Sequence, residues 1–168
     1  MFERILIIGI CGSGKSTLAR TLGAGTRLPV VHLDALNWLP GWTQRPKAEF
    51  DALLTAELEK PRWIIDGNYA RTLPLRLRYC DAVIWLDYGR FAALRGVAKR
   101  VISGRGHTRP DMGAGCPERF DWDFVKYVWN FRKQNGAKTE ALLSGTDAAV
   151  FRVKNRRALK RLTDQLLK

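Results

Sequence analysis

Directly after the apolar run Ile5-Leu6-Ile7-Ile8 the chain reads Gly9-Ile10-Cys11-Gly12-Ser13-Gly14-Lys15-Ser16: a glycine, four residues, then Gly-Lys-Ser. A strand, this loop, and then a helix with Leu18, Ala19 and Leu22 on one face form the sequence context of a phosphate-binding loop. Its glycines let successive backbone N–H groups turn inward around a polyphosphate, and the following helix contributes the positive end of its dipole. Gly9, Cys11, Gly12, Ser13, Gly14, Lys15, Ser16 and Thr17 are therefore the candidate ATP contacts. Lys15 is placed to reach the β- and γ-phosphates, Ser16 to offer its hydroxyl to Mg²⁺, and Thr17 to meet the α-phosphate.

The rest of the chain alternates short apolar runs with helical patterns. Ile5 to Ile8, Val30 to Leu33, Trp63 to Ile65, Val83 to Leu86 and Val150 to Val153 read as strands. Phe50, Leu53, Leu54 and Leu58 repeat at helical spacing between Pro46 and Pro61. Phe91, Leu94, Val97 and Val101 do the same, as do Trp122, Val125, Val128 and Trp129. Such alternation predicts a parallel sheet with helices on both faces, an α/β fold. The 168 residues contain no linker or repeat and predict a single domain over 1–168. No apolar run is long enough to span a membrane, and the first strand carries Glu3 and no cleavage pattern, so a cytoplasmic protein is expected. Cys11, Cys80 and Cys116 are isolated and form neither a disulfide framework nor a metal-ligand pattern.

In folds of this kind ligands bind at the carboxyl ends of the strands. Asp34, Asp66-Gly67-Asn68, Asp87 and Lys154-Asn155 follow successive strands and should gather beside the phosphate loop, with Asn155 on the nucleotide side. Asp66, ending Trp63-Ile64-Ile65-Asp66, is placed to hold Mg²⁺ through water. Asp34 is placed to orient or deprotonate an acceptor hydroxyl, with His32 two residues earlier as a structural neighbour. Gly67, Asn68 and Arg71 are candidate acceptor contacts. Trp38 and Trp42, costly to expose, either pack beneath their loop or wall an acceptor pocket.

From Ser103 to Pro117 the chain has four glycines and two prolines between two amphipathic helices, the arrangement of a hinged lid inserted at about 103–120. Arg100, Arg105, Arg109 and Arg132 are expected to close with it on the transferring phosphoryl group, whose charge spreads over its oxygens. His107 and Cys116 alone do not make a zinc site. The net charge of +13 admits two readings, arginines around substrate phosphates or weak electrostatic binding of nucleic acid. Arg156, Arg157, Lys160 and Arg161 lie opposite the stripe Leu159, Leu162 and Leu166, as on a solvated helix face.

His32-Leu33-Asp34-Ala35-Leu36, Trp38 to Trp42, Trp63 to Tyr69, and Thr108-Arg109-Pro110-Asp111-Met112-Gly113 with Gly115-Cys116-Pro117-Glu118 resemble the bacterial topology modulation proteins of the FlaR type, which are adenylate-kinase-related. The likeness spans Ile5 to about Val153. It implies a three-layer α/β/α fold with strand order 2-3-1-4-5, an ATP site at Gly9 to Thr17 and a lid around Arg100 to Pro117. The Asp-Gly step of adenylate kinases is followed there by Phe-Pro-Arg and here by Asn68-Tyr69-Ala70, with Arg71 beyond. The expected function is an ATP- and Mg²⁺-dependent phosphotransferase acting on a nucleotide, nucleoside or other small acceptor. The alternative is an ATP-responsive DNA-binding regulator of DNA topology.

Overall fold

The computed structural model describes residues 2–168. Strand β1 (Arg4–Gly9) leads through the glycine-rich loop into α1 (Lys15–Thr26), β2 (Val30–His32) and a short α2 (Leu33–Asn37). A small hairpin of β3 (Trp38–Leu39) and β4 (Thr43–Gln44) precedes α3 (Lys47–Leu58), β5 (Trp63–Asp66), α4 (Leu73–Leu77) and β6 (Ala82–Leu86). The chain ends with α5 (Arg90–Gly104), α6 (Trp122–Ser144), β7 (Ala149–Val153) and α7 (Arg156–Leu166).

Five strands form a sheet in the order β2-β5-β1-β6-β7, and every pairing is parallel. With the hairpin counted apart, this is the expected order 2-3-1-4-5. The apolar runs in β1, β5 and β6 are continuous because both sheet faces are covered. Side chains alternate along β1. Ile5 and Ile7 join Leu18 and Leu22 of α1, Val97 of α5, Val128 of α6 and Leu162 of α7. Leu6 and Ile8 face the other way, onto Phe50, Leu54 and Leu58 of α3. The β1 register places Ile7 opposite both Asp66 and Ile84, so the phosphate loop leaves the middle of the sheet beside the end of β5.

Two boundaries differ from the sequence expectation. β2 stops at His32 and Leu33 opens a helix, so Asp34 lies in the first turn of α2. α6 runs for 23 residues, well past the apolar repeat ending near Phe131; its start is capped by the Asp121 carboxylate, which accepts from the N–H groups of Asp123 and Phe124.

Candidate active site

Gly12 has φ 81° and a Cβ there would lie 2.3 Å from the Ala93 carbonyl oxygen. A Cβ on Gly96 would in turn sit 2.0 Å from the Gly12 oxygen, so the loop rests directly on the backbone of α5. Gly14, at φ 95°, caps α1 with nothing within 4 Å of a Cβ position and no side-chain capping bond. The Leu18 N–H donates to the Gly14 carbonyl at 2.9 Å, the first bond of the helix ladder. The N–H groups of Lys15, Ser16 and Thr17 precede that bond, as at any uncapped helix start.

A cavity of about 720 Å³ opens over this loop. Cys11 to Thr17 form its floor; Asp34, Lys99, Arg100, Arg109, Asp111, Arg156 and Lys160 are among its walls. Cations outnumber carboxylates around it, which suits a polyphosphate. Lys15 Nζ donates to the Ile10 carbonyl at 3.1 Å.

Asp66 is buried at the end of β5, where its carboxylate accepts from Ser16 Oγ at 2.8 Å and meets His32 Nδ1 on its other oxygen. The Asp34 carboxylate accepts from the Tyr69 hydroxyl at 2.9 Å. Burial pushes the Asp34 pKa up, while the Tyr69 hydroxyl, Lys15 and Arg109 pull against that rise. Tyr69 itself holds φ 28° and stacks on Phe50 with ring centroids 5.1 Å apart. Its loop is fastened from beneath by the fully buried Arg76. Nη1 of Arg76 donates to the Gly67 carbonyl at 2.9 Å, and Nη2 donates to the carbonyls of Asn68 and Tyr69. Asn68 Oδ1 accepts from the Gly9 N–H at 2.8 Å, tying this loop to the start of the phosphate loop.

The segment between α5 and α6 is seated on the β3–β4 hairpin. The Gly41 N–H donates to the Gly115 carbonyl at 3.0 Å, Trp42 Nε1 to the Pro117 carbonyl at 3.2 Å, and the buried Cys116 Sγ to the Leu39 carbonyl at 3.2 Å. A Cβ on Gly113 would lie 1.7 Å from the Trp38 carbonyl oxygen. Gly113→Ala should therefore separate the segment from the hairpin. A cost of about 1.4 kcal/mol would raise the rate of proteolysis within 105–118 about tenfold, with little change in the melting temperature of the sheet. Cleavage at the unaltered rate would contradict this packing.

The structure brings together Cys11 to Thr17, Asp34, Arg100 and Arg109 around the cavity, with Asp66 against Ser16. It directs several other expected site residues elsewhere. Arg132 pairs with Asp87, 3.5 Å away, and Asp87 also accepts from Arg152, joining β6 to β7. Arg71 forms a bidentate pair with the surface carboxylate of Asp51 at 2.6 and 2.8 Å. Arg105 is exposed outside the cavity, and Asn155 caps α7 by accepting from the Ala158 N–H at 2.9 Å. Trp38 and Trp42 make an edge-to-face pair, with Arg119 over the Trp42 ring; they support the 105–118 segment and stand outside the cavity lining. Gly67, at φ 139°, is packed against Leu33. Sequence reasoning gave no site role to Arg20 and Asp111 in the cavity wall or to Arg76 and Glu118, and it read Arg156 and Lys160, also in that wall, as a solvated helix face. Asp111 and Glu118 were visible within the quoted motif. Arg76 carried no signal, since a lone arginine in an amphipathic stretch reads as surface.

This sheet order, with a glycine-rich loop leading from its central strand into α1, defines the fold of phosphate-loop kinases. Solved structures share it. A shikimate kinase from Bacteroides thetaiotaomicron matches at 17% identity and TM-score 0.56, covering 99% of this chain and 96% of that one. A shikimate kinase from Acinetobacter baumannii, solved in complex with shikimate, matches at 14% identity and TM-score 0.67, covering 99% and 92%. A sugar kinase from Janibacter sp. matches at 14% identity and TM-score 0.51, covering 99% and 91%. No protein-family model and no curated protein matches the chain. No helix among the described residues is long and apolar enough to cross a membrane.

Proposed function

We propose that the protein is an ATP- and Mg²⁺-dependent phosphotransferase whose acceptor is a hydroxyl group of a small molecule. The observation that carries this reading is that Lys15, Arg109 and the Asp34 carboxylate line one cavity over the phosphate loop. Gly14 and the uncapped start of α1 leave room and N–H donors for a polyphosphate. The donor set at the end of β5 fits Mg²⁺: a serine hydroxyl 2.8 Å from a carboxylate supplies hard oxygen ligands. Among the described residues no cluster of three or more ligating side chains exists, in keeping with an ion that takes most of its ligands from water and phosphate. Ser16 and Asp66 would hold the ion, which when bound offsets phosphate charge.

Lys15 and the loop N–H groups hold the donor, and Arg109 with Arg100 offers cationic charge to the oxygens of the transferring group. Asp34 accepts the hydrogen bond of the acceptor hydroxyl and aligns its oxygen for in-line attack. A carboxylate at that place favours a hydroxyl and repels a phosphate monoester, which distinguishes this site from a nucleoside monophosphate kinase. The hydroxyl-bearing compounds named for the neighbouring structures, shikimate and sugar, are consistent with this class. The narrower kinship with FlaR-type topology modulation proteins, a single domain whose 103–120 segment acts as a lid, and a cytoplasmic location complete the proposal. The nucleic-acid alternative gains no support: Arg156 and Lys160 of its basic helix line the cavity.

The test is ADP formation from Mg-ATP across a panel of polyols, nucleosides and nucleotides. Stimulation by a hydroxyl acceptor is the expected outcome; ATP consumption indifferent to every acceptor sinks the reading. Because burial raises the Asp34 pKa, the acid limb of kcat/KM should lie above the ordinary aspartate range. The Tyr69 hydroxyl stabilises the ionised form, so Tyr69→Phe should move that limb to still higher pH, and Asp34→Asn should remove it. A limb unmoved in Tyr69→Phe would assign it to another group.

A further inference from the structure

Arg109 is gripped by two carboxylates from its own segment. Its Nε donates to Glu118 and its Nη1 to Asp111, and both acids are almost inaccessible, at 4% and 3% exposure. Each acid also meets a cation from a helix that borders the phosphate loop: Glu118 lies 3.3 Å from Arg100 Nε of α5, and Asp111 lies 3.1 Å from Arg20 Nη1 of α1. The alternating chain Arg20, Asp111, Arg109, Glu118, Arg100 thus runs from one wall of the cavity to the other. Burial would raise the Asp111 pKa, but Arg109 first, then the Ser16 hydroxyl, His32 and Arg20, hold it below the usual range.

Burying two carboxylates beneath a glycine-rich segment is costly, and attachment alone does not require them. The hairpin contacts of Gly113, Cys116 and Pro117 already fasten the segment through backbone and apolar groups. What the acids add is direction. A free arginine side chain forfeits rotamer entropy when it is fixed, and two held edges set the plane of its fork. Nε and Nη1 are committed, while Nη2 has no protein partner among the described residues.

We infer that Thr108–Glu118 is an arginine-positioning clip: Asp111 and Glu118 are positioning residues that fix the Arg109 guanidinium, in the cavity lined by Lys15 and Asp34, for the oxygens of the transferring phosphoryl group. The inference rests on the proposed phosphotransferase reading. It assigns work to each part of a motif of which that reading used only the arginine.

The test has two arms on the full chain. In arginine ¹H–¹⁵N spectra the Arg109 Nε–H, assigned by its loss in Arg109→Lys, should be protected from exchange in the native protein, unprotected in Glu118→Ala, which removes the acceptor, and displaced on adding Mg-ATP. In turnover, Glu118→Gln and Asp111→Asn should each lower kcat by about 10- to 100-fold with the ATP KM within about threefold, less than the roughly 10²- to 10³-fold loss expected when a transition-state donor is itself removed. Guanidinium should restore activity to Arg109→Ala in a saturable manner, and should fail to do so in Arg109→Ala/Glu118→Gln. A freely exchanging Nε–H in the native protein, effects confined to KM, or equal rescue with and without Glu118 would overturn the clip. Should the native protein show no turnover with any acceptor, the phosphotransferase reading fails by itself. The clip is then decided by the spectra: a protected Nε–H that moves with Mg-ATP upholds it, and an unmoved one overturns it.

Discussion

Replacing Lys15 by alanine is expected to lower ADP formation from Mg-ATP by about 10³-fold while leaving the fold intact. Lys15 opens α1 at the floor of the cavity, and among the described residues its ammonium donates to the Ile10 carbonyl alone. That carbonyl remains part of the loop when the side chain is removed, because it also accepts from the N–H and the hydroxyl of Ser13 at 3.2 and 2.7 Å. The loop geometry, set by glycine conformations and by contact with α5, has no need of the ammonium. On the proposed reading, what disappears is a fixed positive charge beside the phosphates of the donor, and loss of one preorganised donor costs about 10² to 10³ in kcat. Steady-state turnover and thermal melting of the same preparation measure both halves of the statement. Turnover within a factor of ten of the native protein would remove Lys15 from the chemistry.

Arg76→Ala should be the most destabilising single change at the site, by about 3–5 kcal/mol, the cost of leaving three carbonyls without their donor beside a new cavity. The guanidinium is wholly enclosed, and burial pulls its pKa down to about 10, so it remains charged at neutral pH. Three carbonyls in a row, those of Gly67, Asn68 and Tyr69, accept from it. Alanine would leave them facing a cavity, and the loop would lose the support that keeps Tyr69 at positive φ against Asp34. Lysine would not restore the arrangement, since one ammonium lacks the planar fork that spans the set. A fall in melting temperature of about 10 °C is the expected reading for a domain of this size. The depressed pKa of Arg76 means that its burial costs stability at neutral pH, a cost that shrinks as pH rises through about 10. A melting temperature within about 2 °C of the native value would show that water replaces the guanidinium.

Much of the sheet was legible because its signal is local. Ile5 to Ile8, Trp63 to Ile65 and Val83 to Leu86 are apolar throughout, and a strand covered on both faces has to be so. The phosphate loop was legible for a similar reason: backbone conformation at Gly12 and Gly14 demands glycine wherever the motif occurs. Asp34 and Asp66 followed from the rule that ligands bind at strand ends. Asn155 was placed by the same rule and Arg132 by its nearness in sequence to the 103–120 segment; in the fold Asn155 caps α7 and Arg132 pairs with Asp87.

The amino-acid order alone thus determined the layers, the parallel sheet and the glycine-rich loop that leads from its central strand into α1. Only the tertiary structure decided which charges gather over that loop. Seven cations, Lys15, Arg20, Lys99, Arg100, Arg109, Arg156 and Lys160, line the cavity, whereas Arg71, Arg132 and Arg152 are held by carboxylates elsewhere. It also joined the Trp38–Trp42 hairpin to the Thr108–Glu118 segment across a long stretch of chain. The reason is physical. A strand or a glycine turn is selected by the conformation of its own residues, but a long charged side chain takes whichever partner the packed fold brings within reach, and that partner can lie anywhere in the sequence.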